Sequence, residues 1–225
     1  ATPGVVDVAV NLANNHYADY GDQGKADTLA ALDAAGVTYC APKTTAIYET
    51  RGVKIGLIGN TFPYANGKRD ISADVQALRA EGCQIVLAVF HWGSEYEYSF
   101  NGDQRRIGRA AVKAGADAVI GHHPHVVQGI EKYEDTYILY SLGNLVFGGN
   151  VDPSDRETYL AQLTFTVGED GSVTGPQLKI IPALLTAQEK GTDYRPVLAE
   201  GDRAASILKK ILGRSSNMEG FVNPE

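Results

Sequence analysis

Apolar and polar positions fall into two textures along this chain, and the change comes just after residue 125. In the first part, short apolar runs of strand length alternate with stretches of helical spacing. Val5 to Leu12 reads as a strand ending in the polar loop Asn14-Asn15-His16. A helix over about Asp22 to Ala35 follows, with Ala26, Leu29, Ala30 and Leu32 apolar, and Gly36 stands where a left-handed glycine stops a helix. Val37 to Cys40 is a short strand, and Ala46–Glu49 and Val53–Ile58 flank Arg51-Gly52 as a hairpin. Ser72 suits the N-cap of a helix running to Glu81 and closed by Gly82. Gln84 to Phe90 is a continuous apolar run, the pattern of a central strand covered on both faces. A helix over about Asp103 to Ala114 and a strand over Asp117–Ile120 complete this part.

Beyond it the texture is β. Strands are expected near Val126–Glu131, Thr136–Leu139, Tyr159–Val167 and Val173–Ile181, with Glu169-Asp170-Gly171 as the turn between the last two. A final helix over about Asp202 to Leu212 stops at Gly213, and the polar tail from Arg214 is expected to fray. Alternating strands and helices imply a mostly parallel sheet, and the later hairpins an antiparallel one. The simplest packing is an α/β fold of two sheets face to face with helices outside. No linker divides the chain, so residues 1–225 are expected to form one domain.

Composition narrows the function. The 225 residues are 44% hydrophobic and 21% charged, ordinary for a globular protein. No run of about 18 apolar residues occurs, so no membrane-spanning helix is expected. The net charge of −7 argues against nucleic acid as a partner. It leaves an anionic substrate open, since a bound cation supplies positive charge locally. Cys40 and Cys83 flank strand-like runs and read as core thiols rather than a disulfide.

The chemistry lies in five histidines, His16, His91, His122, His123 and His125, all at or just past the end of an expected strand, where open α/β sheets bind ligands. His122-His123-Pro124-His125 is the densest signal. In an extended segment His123 and His125 point the same way, with His122 turned away, and Pro124 stiffens the pair. Neutral imidazole suits zinc, iron and similar ions; the bland alternative is a histidine-rich turn without metal. At Asn14-Asn15-His16, an asparagine carbonyl can ligate a cation and the histidine can protonate a leaving group, with Asp19 in reach to orient it. The alternative there is an Asx turn that caps the next helix. His91 reads as a further ligand, Glu95 as a carboxylate behind the ligands or a substrate contact, and Tyr96 and Tyr98 as pocket wall or loop packing. Gly56-Leu57-Ile58-Gly59-Asn60 is a weak match to a nucleotide-binding loop and fits a hairpin strand better.

The segments Asn11-Leu12-Ala13-Asn14-Asn15-His16 with Asp19-Tyr20-Gly21, His91-Trp92-Gly93 with Glu95, Gly115-Ala116-Asp117, Gly121-His122-His123-Pro124-His125-Val126 and Tyr140-Ser141-Leu142-Gly143-Asn144 resemble, as an ordered set, the CapA-type capsule synthesis proteins. That family is associated with poly-γ-glutamate capsules and related to the calcineurin-like metallophosphoesterases. The resemblance implies a four-layer α/β/β/α sandwich and a two-metal centre of Mn, Zn or Fe. It implies Asn15, His91 and His123 on one metal, His125 on the other and His16 as general acid, with His122 as the alternative to His123. It also implies an opening strand with a metal-binding Gly-Asp motif, and a second acidic motif, neither of which precedes these segments here. The expectation is therefore a domain missing its first strands, holding at most one metal and hydrolysing poorly, because two cations about 3.5–4 Å apart need bridging carboxylates. A raw sheet edge would then invite self-association.

Two functions follow. One is metal-dependent hydrolysis of a phosphoester or an amide-linked anionic polymer. The other is a non-catalytic assembly or export component of the capsule machinery that keeps the fold. By resemblance, the partners are membrane components of capsule synthesis, and the location is the cell surface, membrane-anchored.

Overall fold

The computed structural model describes residues 8–62 and 71–224; the start of the expected first strand, Val5 to Asp7, lies outside them. The fold is α/β. Its centre is a six-stranded mixed sheet in the order β3-β4-β5-β6-β8-β7, formed by β3 (Thr45–Thr50), β4 (Val53–Thr61), β5 (Ile85–His91), β6 (Ala118–His122), β7 (Ile130–Tyr133) and β8 (Thr136–Leu139). β4, β5, β6 and β8 run parallel, and antiparallel β3 and β7 close the two edges.

The alternation along β5 explains why both faces are covered. Val86, Ala88 and Phe90 point to one side, where α2 (Ile71–Ala80) contributes Val75 and Leu78, and α3 (Gly102–Lys113) contributes Ala111 and Val112. The helix α3 starts with a reciprocal cap: Asn101 Oδ1 accepts from the Gln104 N–H at 2.9 Å, and Gln104 Oε1 accepts from the Asn101 N–H at 3.0 Å. Ser72 lies inside the first turn of α2 rather than ahead of it.

On the opposite side of β7 and β8 lies a three-stranded antiparallel sheet, β9 (Glu157–Val167), β10 (Val173–Leu184) and β11 (Val197–Leu198), with α4 (Gly201–Gly213). Tyr159, Leu178, Ile180, Ile207 and Ile211 pack there against Ile130, Tyr137 and Leu139. The β9–β10 turn forms as expected, with Gly171 at φ +79° and Asp170 Oδ1 accepting from the Ser172 N–H at 3.0 Å. The two-residue β11 carries too little pattern to be read from sequence.

The expected division into a parallel first half and an antiparallel second half needs correction. The β7–β8 hairpin joins the parallel sheet, because β8 is buried on both faces: Ile138 packs toward α3 and Leu139 toward β10. Residues Val126 to Gly129 form no strand; Gly129 lies so close to the Arg214 carbonyl that a Cβ there would stand 2.0 Å from its oxygen. The Gly56–Asn60 segment lies within β4, in keeping with the hairpin reading. Both cysteines are buried, and neither is in a disulfide.

Beside the main sheet, β1 (Ala9–Asn11) and β2 (Thr38–Cys40) pair in parallel across α1 (Gly21–Ala35), which Gly36 ends in the left-handed conformation. None of the residues of α1 is fully buried, although Leu29 and Leu32 are half covered. The two-stranded sheet beneath is too narrow to cover more.

One position ties the fold to its functional edge. A Cβ on Gly121 would stand 2.1 Å from the Tyr140 carbonyl oxygen and 2.5 Å from the Trp92 indole nitrogen. Gly121→Ala is therefore expected to destabilise the protein by about 2–4 kcal/mol, read from chemical denaturation, because neither backbone nor a fully buried indole can yield.

Candidate functional site

The ends of β4, β5 and β6 stand side by side, with Thr61 opposite His91 and His91 opposite His122. The chain leaves β5 through Trp92, Gly93 and Glu95, and leaves β6 through His123-Pro124-His125. Two adjacent loops thus deliver their side chains to one edge. Possible ligand atoms of Glu95, His123 and His125 all lie within 4.8 Å of one another. The His91 and His123 rings are 4.6 Å apart, and those of His123 and His125 6.2 Å.

The reason His123 and His125 meet differs from the expected one. The segment is not extended: His123 has φ +95° and His125 φ +61°. Such angles are uncommon outside glycine and persist where surrounding contacts hold them. Here the Tyr96 N–H donates to the Pro124 carbonyl at 2.8 Å, tying the Glu95 loop to the histidine turn. His125 is held from its far side, with Nδ1 2.8 Å from Asn144 Oδ1 and its ring 4.7 Å from Phe147.

His122 turns elsewhere. It lines an apolar cleft of about 380 Å³ together with Val10, Tyr48, Leu87, Val89 and Ile120. Burial there holds its pKa down to about 4. Burial also holds His91 down to about 3, helped by the other histidines, and lowers His123 despite the opposing pull of Glu95.

In the Asn14-Asn15-His16 loop the two asparagines differ, and the turn does not cap the helix that follows, since α1 has Tyr20 at its N-cap and no side-chain cap. Asn14 makes the Asx turn, its Oδ1 accepting from the His16 N–H at 2.6 Å. Asn15 turns inward, with Oδ1 2.7 Å from His91 Nε2. His16 Nδ1 lies 2.7 Å from Asp19 Oδ2, and both side chains are exposed. Tyr96 stands 6.2 Å from the His125 ring, while Tyr98 packs under the Arg214 guanidinium.

Two imidazoles and a carboxylate within reach of one point match the three-ligand set with an open position typical of catalytic zinc centres. Burial favours the neutral ring at His123, the form that binds metal. The donor set therefore fits a divalent cation. Glu95 joins this group, beyond the supporting role expected for it. Sequence reasoning does not single out Asn144 as a site residue; its signal is the Tyr140-Ser141-Leu142-Gly143-Asn144 run, which continues β8, the strand next to β6.

The family described as "Bacterial capsule synthesis protein PGA_cap" matches residues 5–149. The PGA biosynthesis protein CapA of Bacillus subtilis (strain 168) is 39% identical over 159 residues, which is 61% of this chain and 42% of that protein. The capsule biosynthesis protein CapA of Bacillus anthracis is 33% identical over 162 residues, 61% of this chain and 39% of that protein. A "Probable polyglutamine synthesis accessory protein" of Mycobacterium tuberculosis (strain CDC 1551 / Oshkosh) is 28% identical over 204 residues, 74% of this chain and 53% of that protein. The chain thus spans about two fifths to one half of these relatives.

The lowered histidines set a pH dependence. An unfolded histidine titrates near 6.5, but folded His122 only near 4. Between these values the unfolded chain binds the extra proton, so stability falls as pH falls. Metal-free protein is expected to lose on the order of 1–3 kcal/mol between about pH 7 and pH 4.5, and His122→Asn to flatten that slope, measured by denaturant titration at each pH.

Proposed function

This chain belongs to the bacterial capsule synthesis protein family PGA_cap, and on that premise we propose that its histidine edge is a metal-dependent hydrolytic centre acting on an amide-linked anionic polymer or a phosphoester. The observation that carries this reading is the convergence of Glu95, His123 and His125 at the ends of parallel strands. These three would hold the cation, with His91 and Asn15 beside them. When bound, the ion would polarise the substrate oxygen and lower the pKa of a water molecule.

The chain's own residues supply the remaining chemistry. Asp19 accepts at His16 Nδ1 and fixes the ring, leaving Nε2 free to donate a proton to the leaving group. Asn144 holds His125 at Nδ1, which leaves Nε2 as the ring nitrogen open to a ligand. Asn15 holds His91 at the opposite nitrogen, Nε2. A single cation is the proposed stoichiometry, because among the described residues only one group of three such ligands lies this close together.

A second reading is a non-catalytic accessory role beside the polymer-synthesis machinery, favoured by the word "accessory" in the name of the mycobacterial relatives. Cell-surface location is part of the same proposal. No helix among the described residues is long and apolar enough to cross a membrane.

Metal content after dialysis, measured by mass spectrometry, is expected to be about one ion per chain and to vanish in a His123→Ala/His125→Ala variant. With Mn, Zn or Fe restored, His16→Ala is expected to lower turnover of poly-γ-glutamate or a phosphoester about 100-fold or more at unchanged metal content. A protein that binds the ion, turns over neither substrate and is indifferent to His16→Ala is the accessory component instead.

A further inference from the structure

A cavity of about 390 Å³ opens beside the histidine edge, between the Asn14–Ala18 loop, the first turns of α1 and the turn joining β2 to β3. It shares Asn15 with the site described above, since that residue lines the cavity and also reaches His91. Its walls carry Asn14, Tyr17, Lys25 and Lys43, with Thr61 among the lining residues. No carboxylate is among the described lining residues, in a chain whose net charge is −7.

Two features mark this as a built pocket rather than a surface dent. Thr61 is only 2% exposed, yet its hydroxyl makes no hydrogen bond among the described residues. A buried hydroxyl left unpartnered costs about 1–3 kcal/mol, so a ligand that bonds it recovers stability lost in the free protein. Thr61 also ends β4 directly opposite His91, which places the hydroxyl next to the candidate centre. The second feature is charge. Lys43 forms no ion pair among the described residues and stands exposed at the rim, while Lys25 is shared with Asp22 at 2.9 Å.

We propose that this cavity is a subsite for a carboxylate of an anionic polymer, holding one pendant carboxylate while the neighbouring linkage lies at the histidine edge. Lys43 supplies the charge, Lys25 reinforces it, and the Thr61 hydroxyl and the Asn14 side-chain amide supply directional contacts. A phosphate suits the pocket less well. Phosphate sites commonly recruit arginine forks, and no arginine is among the described lining residues. A singly charged carboxylate matches a lysine and a hydroxyl. The placement of the linkage rests on the hydrolytic reading; the binding of the carboxylate does not.

The test is binding of a fluorescently labelled, γ-linked glutamate oligomer to the whole chain in EDTA, followed by anisotropy, with inorganic phosphate as competitor. Lys43→Gln and Thr61→Val are each expected to weaken binding roughly threefold to tenfold, and Lys25→Gln/Lys43→Gln more than tenfold, with folding checked by circular dichroism. Thr61→Val keeps the shape of the side chain and removes only the hydroxyl. No binding of the oligomer, or binding indifferent to all three variants, overturns the subsite. Displacement by phosphate at concentrations below the oligomer's own Kd also overturns it, assigning the pocket to phosphate instead. Oligomer binding that responds to these variants in EDTA, in a protein that never hydrolyses it with metal present, upholds the subsite and removes the hydrolytic reading alone.

Discussion

The Trp92 indole N–H donates to the Tyr140 carbonyl at 2.9 Å, across the position where Gly121 leaves room for both. The three residues belong to the ends of three neighbouring strands: Trp92 follows β5, Gly121 lies in β6 and Tyr140 follows β8. Trp92 is fully buried and stacks on Phe90 at 4.7 Å, and Tyr140 stacks on Phe100. Each such aromatic contributes about 2–3 kcal/mol through burial alone, so the clamp does not open cheaply. The end of β5 with His91 and the loops carrying Glu95, His123 and His125, and Asn144 all depart from it. Their relative positions follow from where the clamp holds the strand ends.

Beneath this clamp the one fully buried carboxylate among the described residues, Glu131, is compensated on several sides. The Arg109 guanidinium binds it, and the Tyr140 hydroxyl donates to it at 2.6 Å. The negative charge at that depth is therefore matched within the core. At His91 and His122 desolvation decides the state of the ring, and it favours the neutral form. The left-handed backbone at His123 and His125, which costs of the order of 1 kcal/mol or more per residue, is tolerated because the Tyr96–Pro124 hydrogen bond and the Asn144 side chain fix it from outside the turn. The strain sits at the point where two imidazoles must converge within a short turn.

The neighbouring cavity shares the same logic. Asn15 joins the cavity to the histidine edge, and β4 brings Thr61 into register with His91. A buried hydroxyl and a lysine that no described residue pairs stand on one side of the ligand-bearing edge. An anionic chain lying across both would meet charge at one point and chemistry at the next.

Local pattern accounts for much of this. Apolar periodicity locates nearly every long element, since the spacing of buried side chains along a strand or helix is a local property. The placing of all five histidines at strand ends is equally local, because the end of an apolar run is visible in the amino-acid order. Three things are decided only by tertiary structure. The β7–β8 hairpin joins the parallel sheet because helices and a second sheet cover both its faces. The backbone that brings His123 and His125 together, with His122 turned away, is left-handed rather than extended, and contacts from other loops enforce it. Glu95 and Asn144 become neighbours of those histidines because three strand ends meet at one clamp. The order of residues thus names which side chains could carry chemistry and on which element each would stand. Their convergence on one point depends on contacts between residues tens of positions apart, and no local pattern encodes that distance.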